Sequence, residues 1–186
     1  MEIEIFQPKH VDEALRIARD NFEEERHGVP ILPASDNFPD LREFADNSLG
    51  VVLLENGDLS GYLGCYRPDD SEIHKRVFSP IQAHGAIKKN RGKIYSYLYQ
   101  SAARIWAKQG IGSHSIALYA HDTEGLESFF WNGFGLYCID AVRALEPLNC
   151  EDVTDCGFEE LSISEVDKIV SLKYGLISHL GESPCF

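Results

Sequence analysis

Basic residues are few in this sequence: 17 Lys and Arg stand against 30 Asp and Glu, a formal net charge of −13 over 186 residues. A nucleic-acid binder draws its affinity from neutralising phosphates, so the balance argues against one. It is compatible with a cationic substrate. Long apolar runs are also missing, and no stretch approaches the roughly 18 residues a membrane helix needs. The opening Met1-Glu2-Ile3-Glu4-Ile5 alternates charge with isoleucine, so it reads as a half-buried strand and not as a signal peptide. There is no CxxC spacing. Five cysteines, at 65, 138, 150, 156 and 185, fit neither an even disulfide framework nor a metal pattern. They point to reduced thiols in a cytoplasm, with Cys65 and Cys138 as small core fillers. His84, His114 and His121 show no ligand spacing such as His-x-x-x-His, so no metal site is expected. What remains is 44 % hydrophobic and 11 % aromatic, enough for the core of one domain or one domain plus a fragment.

Against the acidic background one short stretch is basic. Lys88, Lys89, Arg91 and Lys93 surround Asn90 and Gly92, between an apolar run and a long amphipathic helix. Free N–H groups at a helix N-terminus, helped by the dipole and by nearby cations, suit an anion. A solvated charged loop is the plainer alternative.

Taken in order, the first strand is followed by a helix with Val11, Ala14, Leu15, Ala18 and Phe22 at helical spacing and Glu23 to Glu25 on its outward end. Gly28, Pro30 and Pro33 break it, and a short helix is expected around Phe38 to Asn47. Asn56-Gly57 between Val51–Leu54 and Tyr62–Tyr66 predicts a hairpin. In the run Val77–Ile87, Pro80 and Gly85 are awkward inside a central strand and predict a bulge or an interrupted edge. Ile94, Leu98, Ala102 and Ile105, with Tyr95, Tyr99 and Trp106 alongside, predict a long helix that ends at Gly110. A strand at Ser115–Ala120, a helix at Thr123–Trp131 and a last strand from Phe134 to Leu145 follow. In the tail, Phe158 to Leu161 reads as a short strand. Ser162-x-x-Glu165 is a capping box ahead of a helix with Val166, Ile169, Val170 and Leu172 on one face.

This order resembles the GNAT acetyltransferases over about residues 1 to 148, with residues 149 to 186 resembling a linker and the strand-helix start of a second copy. The aromatic-x-x-x-Gly-Phe turn of that family is matched by Phe129-Phe130-Trp131-Asn132-Gly133-Phe134. The resemblance implies an α/β fold with a mixed, mostly antiparallel sheet, flanking helices, and parallel fourth and fifth strands that splay apart. It also implies acetyl-CoA as cosubstrate. Its phosphates would sit on the backbone of Arg91, Gly92, Lys93, Ile94, Tyr95 and Ser96, and its pantetheine would pair with the backbone of Ala86, Ile87 and Lys88.

Two positions depart from the family pattern. Ile94 stands where the phosphate motif has glycine, and Phe129 stands where a tyrosine serves as general acid. His84, with an ordinary pKa of about 6.5, is the candidate base, the alternative being a buried histidine bonded to a carbonyl. Asp122 is either a helix N-cap or, like its neighbour His121, a group that holds the amine or relays a proton; Tyr119 is a candidate replacement acid. The acceptor would be a small-molecule or protein amine. The tail's apolar face implies a dimer mate or a second domain to cover it. The other functional reading is a degenerate GNAT-like module that docks and does not catalyse.

Overall fold

The computed structural model describes residues 1–34, 38–68, 75–146, 157 and 159–182. They fall into two compact units, Met1–Phe134 and Gly135–Phe186. Phe158, Cys150, Cys156 and Cys185 lie outside the described residues.

In the first unit, β1 (Glu2–Ile5) leads through a 3₁₀ turn to α1 (Val11–Gly28) and the short α2 (Arg42–Ala45). The hairpin of β2 (Val51–Glu55) and β3 (Asp58–Leu63) forms where the Asn-Gly pair predicts it. Asn56 and Gly57 both take positive φ, 55° and 94°, as a turn that matches the strands' twist requires. Next come β4 (Arg76–Ser79), β5 (His84–Ala86), α3 (Arg91–Lys108), β6 (Ser113–Ile116) and α4 (Thr123–Trp131). Gly110, at φ 72°, turns the chain out of α3.

Strands β1, β2, β3 and β5 make an antiparallel sheet in that order, while β4 pairs in parallel with β6. The break between β4 and β5 falls at Pro80, as expected, because proline has no N–H for a ladder, whereas Gly85 lies inside β5 paired with Tyr62 and interrupts nothing. The Pro80 carbonyl instead closes a turn, accepting from the Ala83 N–H at 2.8 Å. This break decides where the chain opens. The parallel rungs run from Arg76↔Ser113 to Ser79↔Ile116, and a last bond joins the Ala117 N–H to the Ser79 carbonyl at 3.0 Å. Beyond it, β5 follows β3 (Ile87 N–H to the Ser60 carbonyl, 2.9 Å) and residues 118–122 pair with no described strand. β6 is therefore shorter than the Ser115–Ala120 run and starts two residues earlier, because its partner turns away.

Period-two alternation sorts the strands between two cores. Val51, Leu53 and Leu63 join Ile94, Leu98, Ala102 and Trp106 of α3, whereas Val52 and Tyr62 join Ala14, Ile17 and Ala18 of α1. Each fully buried large apolar side chain contributes about 1.5–3 kcal/mol. Gly61 lets α3 sit close: a Cβ there would meet Ile94 Cγ2 at 2.6 Å.

In the second unit the Ser162/Glu165 capping box forms, with the Ser162 N–H on the Glu165 carboxylate at 3.1 Å, ahead of α5 (Asp167–Gly181). Val166, Ile169, Val170 and Leu172 are exposed. Three expectations are corrected here. Phe134 to Leu145 forms no strand, and Leu136, Tyr137, Ile139 and Val142 are exposed. Apolar content alone makes no strand; a ladder partner does, and none of the described residues supplies one. Glu159 to Leu161 is likewise not a strand, and Cys138 is exposed and fills no core.

Candidate functional site

The point where β5 leaves β6 is held together by His84. Its Nε2 lies 2.6 Å from the Ala117 carbonyl, so that nitrogen carries the proton and donates. Nδ1, the acceptor in that tautomer, is 3.4 Å from the Tyr95 hydroxyl. Both ring nitrogens thus have partners, the geometry of the carbonyl-bonded alternative. Burial holds the imidazole below its ordinary pKa, partly offset by the Ala117 carbonyl and by Asp122. The sign of the consequence follows: the unfolded chain takes up a proton near pH 6.5 that the folded chain refuses. Stability should be full above that pH and fall below it. Urea unfolding between pH 7.5 and 5.5 should show this decline, with a shallower slope in His84→Gln.

Tyr95 is fully buried on α3, and burial first, then the charge of Asp122, pushes its phenol well above the ordinary value. Asp122 caps α4, accepting from the Gly125 N–H at 2.9 Å, and also lies 3.9 Å from the Arg91 guanidinium. Arg91 is buried. Its two terminal nitrogens donate to Glu24 of α1 at 2.7 and 3.1 Å. That hydrogen bond is the main reason the Glu24 carboxyl is held below its usual value. Glu24 and Glu25 in turn face His121. Polar groups thus succeed one another as His84, Tyr95, Asp122, Arg91, Glu24, His121 and Glu25, with direct hydrogen bonds at Arg91–Glu24 and His121–Glu25 and ionic separations of 3.9 Å at Asp122–Arg91 and 3.7 Å at Glu24–His121. Tyr119 lies beside this series, its ring 6.0 Å from that of His121. Burial first, then Glu25, pushes the Tyr119 phenol up to about 12, so it stays protonated.

The α1 members of this series were not anticipated. Glu23 to Glu25 read as an outward helix end, yet Glu25 is buried, and so is Asn21. A signal was present: Asn21 and Glu25 continue the stripe of Ala14, Ile17 and Ala18, and a polar residue on a core-facing stripe needs a buried partner. Asn21 finds Ala86. Its carboxamide accepts from the Ala86 N–H at 3.2 Å and donates to the Ala86 carbonyl at 3.1 Å. The backbone of Ala86, on the edge expected to meet pantetheine, is engaged by a side-chain amide. Gly85 makes room for it, since a Cβ there would lie 3.0 Å from Asn21 Oδ1.

The loop that continues from β5 is open. Lys88, Lys89, Asn90 and Lys93 are exposed, and Ile87 is half-buried. Asn90 occupies the N-cap of α3 in the left-handed region with no side-chain cap. The Gly92 N–H lies 3.4 Å from the Glu124 carboxylate. A shallow groove of about 280 Å³ between α3 and α4 begins here and includes Ser96, Glu127 and Trp131. Ser96 Oγ accepts from Gln100 at 3.1 Å and from Asn132 at 3.3 Å. Ile94 turns away from the loop into the core, and Phe129 packs among Tyr95, Tyr99 and Phe134. Among the described residues no group of three or more His, Cys, Asp or Glu is placed to hold a metal ion, and no helix is long and apolar enough to cross a membrane.

No family model and no curated protein matches the sequence. Solved structures do match. YycN of Bacillus subtilis, a candidate acetyltransferase, superposes with a TM-score of 0.55 at 18 % identity over 78 % of this chain and 100 % of its own. An aminoglycoside acetyltransferase from an uncultured soil metagenomic sample, in complex with sisomicin, gives 0.52 at 14 % identity, over 79 % and 95 %. TTHA1254 of Thermus thermophilus gives 0.53 at 17 % identity, over 80 % and 100 %. At such identities the likeness is one of fold. The chain has the GNAT acyltransferase fold, with its mixed sheet and flanking helices.

Proposed function

We propose that the first unit is an N-acetyltransferase that takes an acetyl group from acetyl-CoA and passes it to a primary amine. One observation carries the reading: two parallel strands part beside an uncapped helix N-terminus set in a basic loop. The backbone N–H groups of Arg91 and Lys93, and that of Gly92 once the Glu124 carboxylate yields it, would hold phosphate oxygens, with Lys88 and Lys89 adding charge. The Arg91 side chain, bound to Glu24, would keep the loop in place and not touch the ligand. The phosphate end of CoA therefore fits the residues present. The amide arm fits at Ala86 once the Asn21 carboxamide yields the strand edge. Acetyl-CoA supplies the activated acyl group; this chain's residues bind, orient and handle protons. Tyr119 and Asp122 stand near the divergence for that work, and His84 could join it only by releasing one of the two partners that now engage its ring. Glu24, Glu25 and Asp122 give the crevice the charge that a cationic amine seeks, and one structural neighbour is in complex with such an amine, sisomicin.

Isothermal titration with CoA tests the reading. Wild type should bind, and Lys88→Glu combined with Lys89→Glu should weaken binding about tenfold or more, roughly 1.4 kcal/mol. An unchanged dissociation constant would place the ligand elsewhere. A second reading, the non-catalytic docking module, is favoured by the seated Asn21 and by Phe129, which has no proton to give. Absence of CoA binding would select it.

A further inference from the structure

We infer that Glu25 and His121 form the carboxylate–imidazole pair that takes the proton from the acceptor amine, Glu25 positioning the ring and His121 Nε2 receiving the proton. The assignment rests on the acyltransferase reading and deepens it.

The geometry is that of an oriented base. Glu25, a buried carboxylate on α1, accepts from the His121 Nδ1–H. That bond fixes the tautomer and leaves the lone pair on Nε2. Nε2 is buried and has no hydrogen-bond partner among the described residues. A buried polar atom left unmatched in this way calls for a ligand or a water. His121 differs here from His84, whose two nitrogens are both engaged. The His121 side chain as a whole keeps 27 % exposure, which puts the ring at the edge of the crevice with Nε2 just beneath its surface.

Charged groups surround the ring. Glu24 and Glu25 face the ring from α1, with the Glu24 carboxylate 3.7 Å from Nε2. Tyr119 and Asp122 flank it on its own segment, Arg91 reaches in from α3, and Lys88 acts on Glu24 from the loop. Three carboxylates against two cations attract a primary alkylammonium, the form in which an aliphatic amine meets the protein near neutral pH. In the step, the ammonium N–H bond breaks and its proton bonds to Nε2, which becomes an imidazolium. The freed nitrogen pair forms the C–N bond to the acyl carbon while the C–S bond breaks, and the nitrogen then loses its second proton to solvent to give the neutral amide. The sulfur leaves with the C–S electron pair and is protonated by solvent.

Two measurements decide it. Imidazole ¹⁵N shifts of the full chain, taken where the ring is neutral, should show His121 as the Nδ1–H tautomer. Glu25→Gln should move the population toward Nε2–H. A wild-type ring already in the Nε2–H form overturns the pair. CoA release from acetyl-CoA is then followed with spermidine and with Nα-acetyl-lysine amide as probes. His121→Gln should lower kcat/KM by about 10²–10⁴-fold and abolish the lower limb of its pH profile. Acetyl-CoA binding should stay within about twofold, and Glu25→Asp should restore more rate than Glu25→Gln. Binding without CoA release from either probe, or an unchanged rate in His121→Gln, overturns the assignment alone. A folded wild type that does not bind acetyl-CoA overturns the acyltransferase reading itself, and the base role with it.

Discussion

Arg91→Met should destabilise the first unit by about 3 kcal/mol, the lower end of what removing one partner of a buried ion pair costs. The arginine is buried, and its loss leaves Glu24 and Asp122 facing each other with no cation between them. The lower end applies because Glu24 keeps 30 % exposure, so water recovers part of its solvation. Urea unfolding monitored by circular dichroism at pH 7 measures the loss. Adding Glu24→Gln to Arg91→Met should recover part of it, since the second change removes the stranded charge. The pH dependence has a definite sign. A carboxyl whose folded pKa is depressed contributes stability that is present above its unfolded value, near 4.3, and is lost as pH falls through the lower folded value. Wild type should therefore lose more stability than Arg91→Met on acidification below about pH 4. Equal losses would mean that Glu24 is not held by Arg91 in solution.

The other large effect concerns the core. Trp106→Ala should cost about 3–5 kcal/mol, as truncation of a buried aromatic does. Trp106 is fully buried under β2 and β3, and its indole N–H donates to the Leu49 carbonyl at 2.9 Å. Trp106→Phe keeps much of the packing but strands that carbonyl, an unmet acceptor worth about 1–3 kcal/mol. The phenylalanine variant should thus fall between wild type and alanine. Since Trp106 and the exposed Trp131 are the two tryptophans, a Trp131→Phe background turns the fluorescence of Trp106 into a direct report on this core. A Trp106→Ala loss below about 1 kcal/mol would contradict its placement.

Local sequence was enough wherever the structure is local. The Asn56-Gly57 hairpin, the interruption at Pro80, the 3.6-residue stripe of α3 and the Asp122 cap each depend on backbone geometry within a few residues, and each forms. The acidic composition and the basic patch at Lys88 to Lys93 are likewise visible without a fold, as is the fact that this patch opens a helix. The strand expected from Phe134 to Leu145 shows the limit. A β-strand exists only with a partner edge, and sequence pattern does not say whether one is offered. The same holds for the site. His84 was legible as a chemically able residue, but the positions of its two nitrogens follow from Tyr95, eleven residues on, and Ala117, 33 residues on. Arg91 was legible as a cation by the phosphate loop; its turn inward to Glu24 crosses 67 positions of chain. Asn21 on the Ala86 edge and Glu25 on His121 span 65 and 96. Propensity and capping act through near neighbours. Which polar group meets which across a closed core depends on how α1, α3 and the diverging strands come together, and only the tertiary structure decides that.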